Sequence, residues 1–114
     1  MTSVVIAAHN EAAVIGRCLD SLLAGAAPGE FDITVAANGC TDDTARVAAE
    51  RGVRVLDLPE PGKPGALNAG DAVAVGFPRV YLDADIVLST DGLRALAAAV
   101  DGPILAATAH RELD

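Results

Sequence analysis

Val4-Val5-Ile6-Ala7-Ala8 is apolar at every position, with no polar residue on alternate sites. A strand with one wet face alternates with a period of two. An unbroken apolar run instead marks a strand buried on both faces, the habit of parallel sheets covered by helices. The rest of the chain repeats this theme. From Glu11, apolar residues fall at Ile15, Cys18, Leu19, Leu22 and Leu23, the spacing of a helix with one buried stripe, until Pro28-Gly29 breaks it. Ile33 to Ala37 is a second apolar strand. Thr41 is placed to cap a helix with Asp42 and Asp43 in its first turn, burying Ala45, Val47 and Ala48 and stopping at Gly52. A third strand spans Val53 to Leu56, and Pro59, Pro61, Gly62 and Pro64 form a loop. Then follow a small-residue helix from Gly65 to Val75, a strand from Val80 to Leu82, a helix from Asp91 to Val100 ended by Gly102-Pro103, and a fifth strand from Ile104 to Ala107. Such alternation predicts an α/β fold, a three-layer α/β/α parallel sheet of Rossmann-like type.

Bulk properties narrow the class. At 114 residues the chain makes one domain, 1–114. Hydrophobic residues are 52% of it and aromatics 3%, so the core must be built from Ala, Val, Leu and Ile. A net charge of −8 argues against nucleic acid or an anionic membrane surface as partner. No apolar run approaches the about 20 residues of a membrane span. Cys18 and Cys40 have neither metal-knuckle nor redox-pair spacing and read as reduced thiols of a cytoplasmic protein. His9 and His110 form no ligand motif.

Chemistry is suggested by Val80-Tyr81-Leu82-Asp83-Ala84-Asp85-Ile86-Val87, where an apolar strand runs into two carboxylates one residue apart. Open parallel sheets bind ligands beyond the carboxyl ends of their strands. Paired hard oxygen donors on a short loop suit Mg²⁺ or Mn²⁺, which take one or two protein carboxylates and complete their shell with substrate phosphates. The plain alternative is that these acids only cap turns. Their company tells against it, because polar insertions follow the other strands too: His9-Asn10-Glu11, Asn38-Gly39-Cys40-Thr41-Asp42-Asp43, and Gly62 to Gly70. In this fold class all converge on one edge of the sheet. The first turn is not glycine-rich and no P-loop follows any strand, so dinucleotide and NTPase readings drop out.

With these motifs in order, the chain resembles the nucleotide-sugar-binding half of family 2 glycosyltransferases of GT-A fold, from Val4 to about Ala107. The Ala-x-Asn-Glu element matches Ala8-His9-Asn10-Glu11. An acidic or amide residue before Gly, Ser or Cys, Thr and Asp matches Asn38 to Asp42. Gly-Lys-x-x-Ala-Leu-Asn-x-Gly matches Gly62 to Gly70, and Asp-x-Asp matches Asp83 and Asp85. The resemblance implies that Ala8, Asn10 and Glu11 line the nucleoside pocket, that Asn38 reads the base, and that Lys63 lies near the base or diphosphate. It further implies that Asp83 contacts ribose and the metal shell, and that Asp85 ligates Mn²⁺ or Mg²⁺ directly. The implied donor is a UDP- or GDP-sugar, the reaction inverting transfer to an acceptor hydroxyl.

Beside those roles stand structural ones. Asn10 is placed to cap the first helix, Glu11 complements its dipole, and Asn38-Gly39 is a common turn pair. No acid between Ile86 and Asp114 is an obvious general base; Asp91, Asp101, Glu112 and Asp114 read as caps or surface groups. The acceptor-binding half is therefore expected to be absent, with nucleotide binding retained and transfer weak. Uncovered sheet edges lead us to expect a homodimer. Two rivals remain: a haloacid-dehalogenase-like phosphatase, whose nucleophile motif Asp83-Ala84-Asp85-Ile86-Val87 also fits, and a non-catalytic nucleotide-binding module.

Overall fold

The computed structural model describes residues 1–100 and the backbone of residues 106–109. Within them the elements run β1 (Thr2–Ala8), α1 (Ala12–Leu23), β2 (Phe31–Asn38), α2 (Thr44–Ala49), β3 (Arg54–Leu58), α3 (Lys63–Val73), β4 (Arg79–Asp83), α4 (Thr90–Ala98) and β5 (Ala106–Ala109). The strands form one parallel sheet in the order β3-β2-β1-β4-β5. The expected α/β sandwich is therefore present. Gly102, Pro103, Ile104, Leu105, Asp101, His110, Glu112 and Asp114 lie outside the described residues, so the fifth strand is seen only in Ala106–Ala109.

Strand alternation sorts the two faces. Val4, Ile6 and Ala8 of β1, with Ile33 and Val35 of β2 and Val80 and Leu82 of β4, pack against Ile15, Cys18, Leu19 and Leu22 of α1 and Leu93 of α4. Val5 points the other way, against Gly70 of α3. So α1, α2 and α4 cover one face and α3 the other. The switch follows from strand order. From β1 to β3 the chain steps outward in one direction, and from β3 to β4 it returns across β1, so a right-handed crossover places α3 on the opposite face; strand order does not account for α4, which packs beside α1 although β5 continues the return direction.

The core is aliphatic, as its composition requires. Its largest fully buried side chains are Ile, Leu, Val and Thr, while Phe77 is 43% exposed and Phe31 packs only at the margin.

Boundaries differ from the sequence pattern where loops meet. Helix α1 starts at Ala12 with no side-chain cap of its own, and α2 starts at Thr44, whose N–H is held by Asp42 Oδ1 (3.0 Å) rather than by Thr41. The two helix starts are tied together. Asn10, at φ 51°, accepts from the Thr41 N–H (2.8 Å); Thr44 Oγ1 accepts from the Glu11 N–H (2.8 Å), and Asp42 from the Ala12 N–H (3.2 Å). Asn10 thus fastens the β2–α2 loop rather than capping α1. Strands β2 and β4 each extend one residue past the carboxyl end of their apolar cores, which makes Asn38 and Asp83 strand-terminal residues.

Candidate functional site

Four chain segments end at the carboxyl edge of the sheet and enclose a cleft of about 420 Å³. Its walls are Ala7, His9 and Glu11 from β1 and the following loop, Asn38 from the end of β2, Pro61, Gly62 and Lys63 at the start of α3, and Asp83, Ala84 and Asp85 from the end of β4. Each position has a local cause. Asp83 is the last residue of β4 and pairs in register with Ala7 of the central strand. A tight turn follows, closed by the Ile86 N–H donating to the Asp83 carbonyl (3.1 Å), with Ala84 buried between the two acids. Glycine at 39 lets the chain leave β2 at φ 58°, and a Cβ there would lie 2.6 Å from Pro61, so the loop before α3 can close over it.

Asn38 ties these walls together. Its amide donates to the Ala8 carbonyl (3.1 Å) and the Ala36 carbonyl (3.2 Å), and its Oδ1 accepts from the Gly62 N–H (2.9 Å). Two carbonyls on one end and an N–H on the other leave only one sensible amide orientation. Both donors are engaged internally and the residue is 3% exposed. Next to it, His9 Nδ1–H donates to the Asn38 carbonyl (2.7 Å). A carbonyl only accepts, so the proton belongs on Nδ1 and, in the neutral ring, Nε2 is the acceptor.

Charge is concentrated here. Glu11, Asp83 and Asp85 share the cleft with one cation, Lys63, among its lining residues. Lys63 Nζ donates to Asp83 Oδ1 at 2.5 Å. With the two side chains 58% and 26% exposed, such a pair is worth only about 0–1 kcal/mol. Burial, then the nearby Asp85 carboxylate, raise the Glu11 pKa above its ordinary value, with Asp42 and Asp83 adding to the effect and His9 opposing it. Removing negative charge from the cleft, or adding positive charge, would relieve this crowding. Burial also pushes the Cys18 thiol up to about 11, with Asp85 contributing, so Cys18 is a core thiol and no nucleophile.

Of the residues singled out in the sequence, Glu11, Asn38, Lys63, Asp83 and Asp85 meet in one cleft. Ala8 and Asn10 do not line it. Ala8 is 1% exposed and lies behind Asn38, offering only its carbonyl, while Asn10 faces Thr41. Ala7, His9, Pro61 and Gly62 line the cleft without having been assigned a role from sequence. His9 carried a signal, being a polar residue directly after a buried strand, and Gly62 opened the Gly-Lys element; Pro61 carried none. Among the described residues no three His, Cys, Asp or Glu side chains are grouped to hold a metal by themselves. No helix among them is long and apolar enough to cross a membrane.

With this geometry, comparison with known proteins is informative. The sequence model described as Glycosyl transferase family 2 matches residues 3–111. An uncharacterized glycosyltransferase of Mycobacterium tuberculosis is 37% identical over 76 residues, covering 67% of this chain and 35% of that protein. Among solved structures, glucosyl-3-phosphoglycerate synthase of M. tuberculosis, in complex with Mn²⁺, uridine diphosphate and glucosyl-3-phosphoglycerate, superposes with a TM-score of 0.73. It is 33% identical, over 86% of this chain and 38% of that one. Residues 1–349 of Staphylococcus aureus TarS give a TM-score of 0.76 at 25% identity, over 85% and 31%. The chain thus spans about a third of the length of each.

Proposed function

The chain belongs to glycosyl transferase family 2, and from that membership we propose that its cleft binds the nucleoside diphosphate of a sugar donor through a divalent cation, Mn²⁺ or Mg²⁺. The observation that carries this reading is the convergence of Asp83, Asp85, Glu11 and Lys63 at the carboxyl ends of β1 and β4 and the start of α3. Asp83 and Asp85 offer hard oxygens from one short turn, the donor type such cations prefer. They are too few to cage a cation alone, in keeping with a metal that completes its shell from a diphosphate. The relative crystallised with Mn²⁺ and uridine diphosphate makes uridine the favoured base.

Each residue has a task in this reading. Asp85 and Asp83 hold the cation, which when bound neutralises charge on the departing diphosphate. Lys63 and the amino end of α3 supply further positive potential to the phosphates. Asn38 shapes the base end by holding Gly62 against β1, and His9, tied through Nδ1 to the Asn38 carbonyl, borders it. Glu11 borders the nucleoside. Among the described residues the lining acids are all committed to donor binding, so none of them is assigned as the general base, and inversion is the expected outcome. Family membership sets aside the phosphatase reading of Asp83.

Calorimetric titration with uridine and guanosine diphosphates, with and without Mn²⁺, tests the proposal. Uridine diphosphate should bind only when Mn²⁺ is present, and Asp85→Asn should weaken it at least about tenfold, the loss of roughly one charge-assisted ligand. Equal affinity without metal, or in the Asp83→Ala/Asp85→Ala double variant, would overturn it.

A further inference from the structure

Lys63 and Asp83 make an ion pair at 2.5 Å, and both line a second cavity of about 280 Å³ as well as the cleft. That cavity lies beside α3, walled also by Leu67, Asn68 and Tyr81. The pair therefore forms the partition between two open spaces, and the ammonium has room to move on either side.

The two partners differ in freedom. Asp83 is held by strand register with Ala7 and by the turn that its carbonyl closes. The Lys63 backbone is also fixed. The preceding Gly62 N–H is bonded to Asn38, and the Gly62 carbonyl accepts from the Ala66 N–H at 3.0 Å in the first turn of α3. Only the lysine stem, more than half exposed, is free to swing.

One carboxylate cannot serve an ammonium and a divalent cation at contact distance without forcing two positive charges together. This holds whichever of its oxygens the cation takes. A diphosphate reverses the balance, because its negative charge attracts both cations at once. We propose that Lys63 couples metal binding to nucleotide binding: its ammonium competes with a bare divalent cation at Asp83 and turns onto the diphosphate when cation and nucleotide arrive together. The inference rests on the donor-site reading above and adds an order to it. The site takes the cation as a complex with its nucleotide and resists the cation alone.

The test is equilibrium binding, with no turnover required. Bound Mn²⁺ is read from the loss of the free-ion electron paramagnetic resonance signal, with and without uridine diphosphate, for the wild type, Lys63→Met and Asp85→Asn. Lys63→Arg serves as a charge-preserving control, and circular dichroism checks the fold of each variant. Lys63→Met should bind Mn²⁺ alone about three- to tenfold more tightly and uridine diphosphate with Mn²⁺ about tenfold more weakly, while Lys63→Arg keeps both near wild type. Opposite signs are the signature. Should Lys63→Met leave Mn²⁺ affinity unchanged, or weaken both ligands together, while Asp85→Asn still abolishes metal binding, the coupling is refuted and the donor site stands. Should Asp85→Asn change nothing, the donor-site reading fails and the coupling falls with it.

Discussion

Asn38 has the feature of a recognition residue and the bonding of a structural one. In the sequence it stands where a base-reading side chain is expected, just after an apolar strand. In the fold its amide donates to two carbonyls and accepts from Gly62, joining β1, β2 and the start of α3. Its polarity and position were legible; its partners, one of them on another strand and another in a distant loop, were not. Asn38→Asp replaces two donors with a carboxylate facing two carbonyl oxygens in a buried place. We expect about 2–4 kcal/mol of destabilisation, read as a lower urea midpoint at unchanged slope. An unaltered midpoint would show that this amide is not the tie.

At the scale of elements, α3 lies closest to the sheet where it has no side chain. A Cβ at Gly70 would overlap Cγ1 of Val5, which is fully buried and cannot yield. The gain of about 1 kcal/mol in helix propensity for Gly70→Ala is outweighed by an overpacking cost of about 1–3 kcal/mol. The melting temperature should fall by a few degrees, and a rise would show that α3 can move off β1. Because α3 also begins with Lys63, its seating on β1 fixes the backbone from which the cleft's lysine reaches. Helix existence was plain from the spacing of Ile15, Cys18, Leu19 and Leu22. Helix starts were not. Thr44 and Asp42 hold N–H groups of the β1–α1 segment about thirty residues away, and local capping rules cannot see such partners. By contrast, α4 carries its own cap, Ser89 accepting from the Gly92 N–H, and begins one residue from the expected Asp91.

Across the whole molecule, the two edges of the sheet have opposite chemistry. The carboxyl edge gathers acids around a cleft, while the amino edge neutralises its acid internally. There Asp32 accepts from Ser3 Oγ (2.8 Å), the Val75 N–H (2.9 Å) and Arg54 (2.9 Å), joining β1, β2, β3 and the segment before β4. Burial alone would raise the Asp32 pKa; these hydrogen bonds and the Arg54 charge outweigh it and hold the carboxyl below its ordinary value. A depressed folded pKa contributes stability in full above the unfolded value of about 3.9 and loses it as pH falls through the lower folded value. The wild type should therefore lose stability below about pH 4 more steeply than Asp32→Asn, measured by urea unfolding across the acid range. Parallel curves would remove Asp32 from the account.

Taken alone, the sequence determined the alternation of strands and helices, an aliphatic core, and which loops carry polar groups to one edge, because periodicity and composition act locally along the chain. Tertiary structure decided which of those groups face the cleft. It turned Asn10 and Ala8 away, brought in Ala7 and Pro61, and kept His9 and Gly62 of the loops expected at that edge. It also set Lys63 against Asp83, since hydrogen bonds and ion pairs between loops depend on strand order and helix seating, and no local pattern records either.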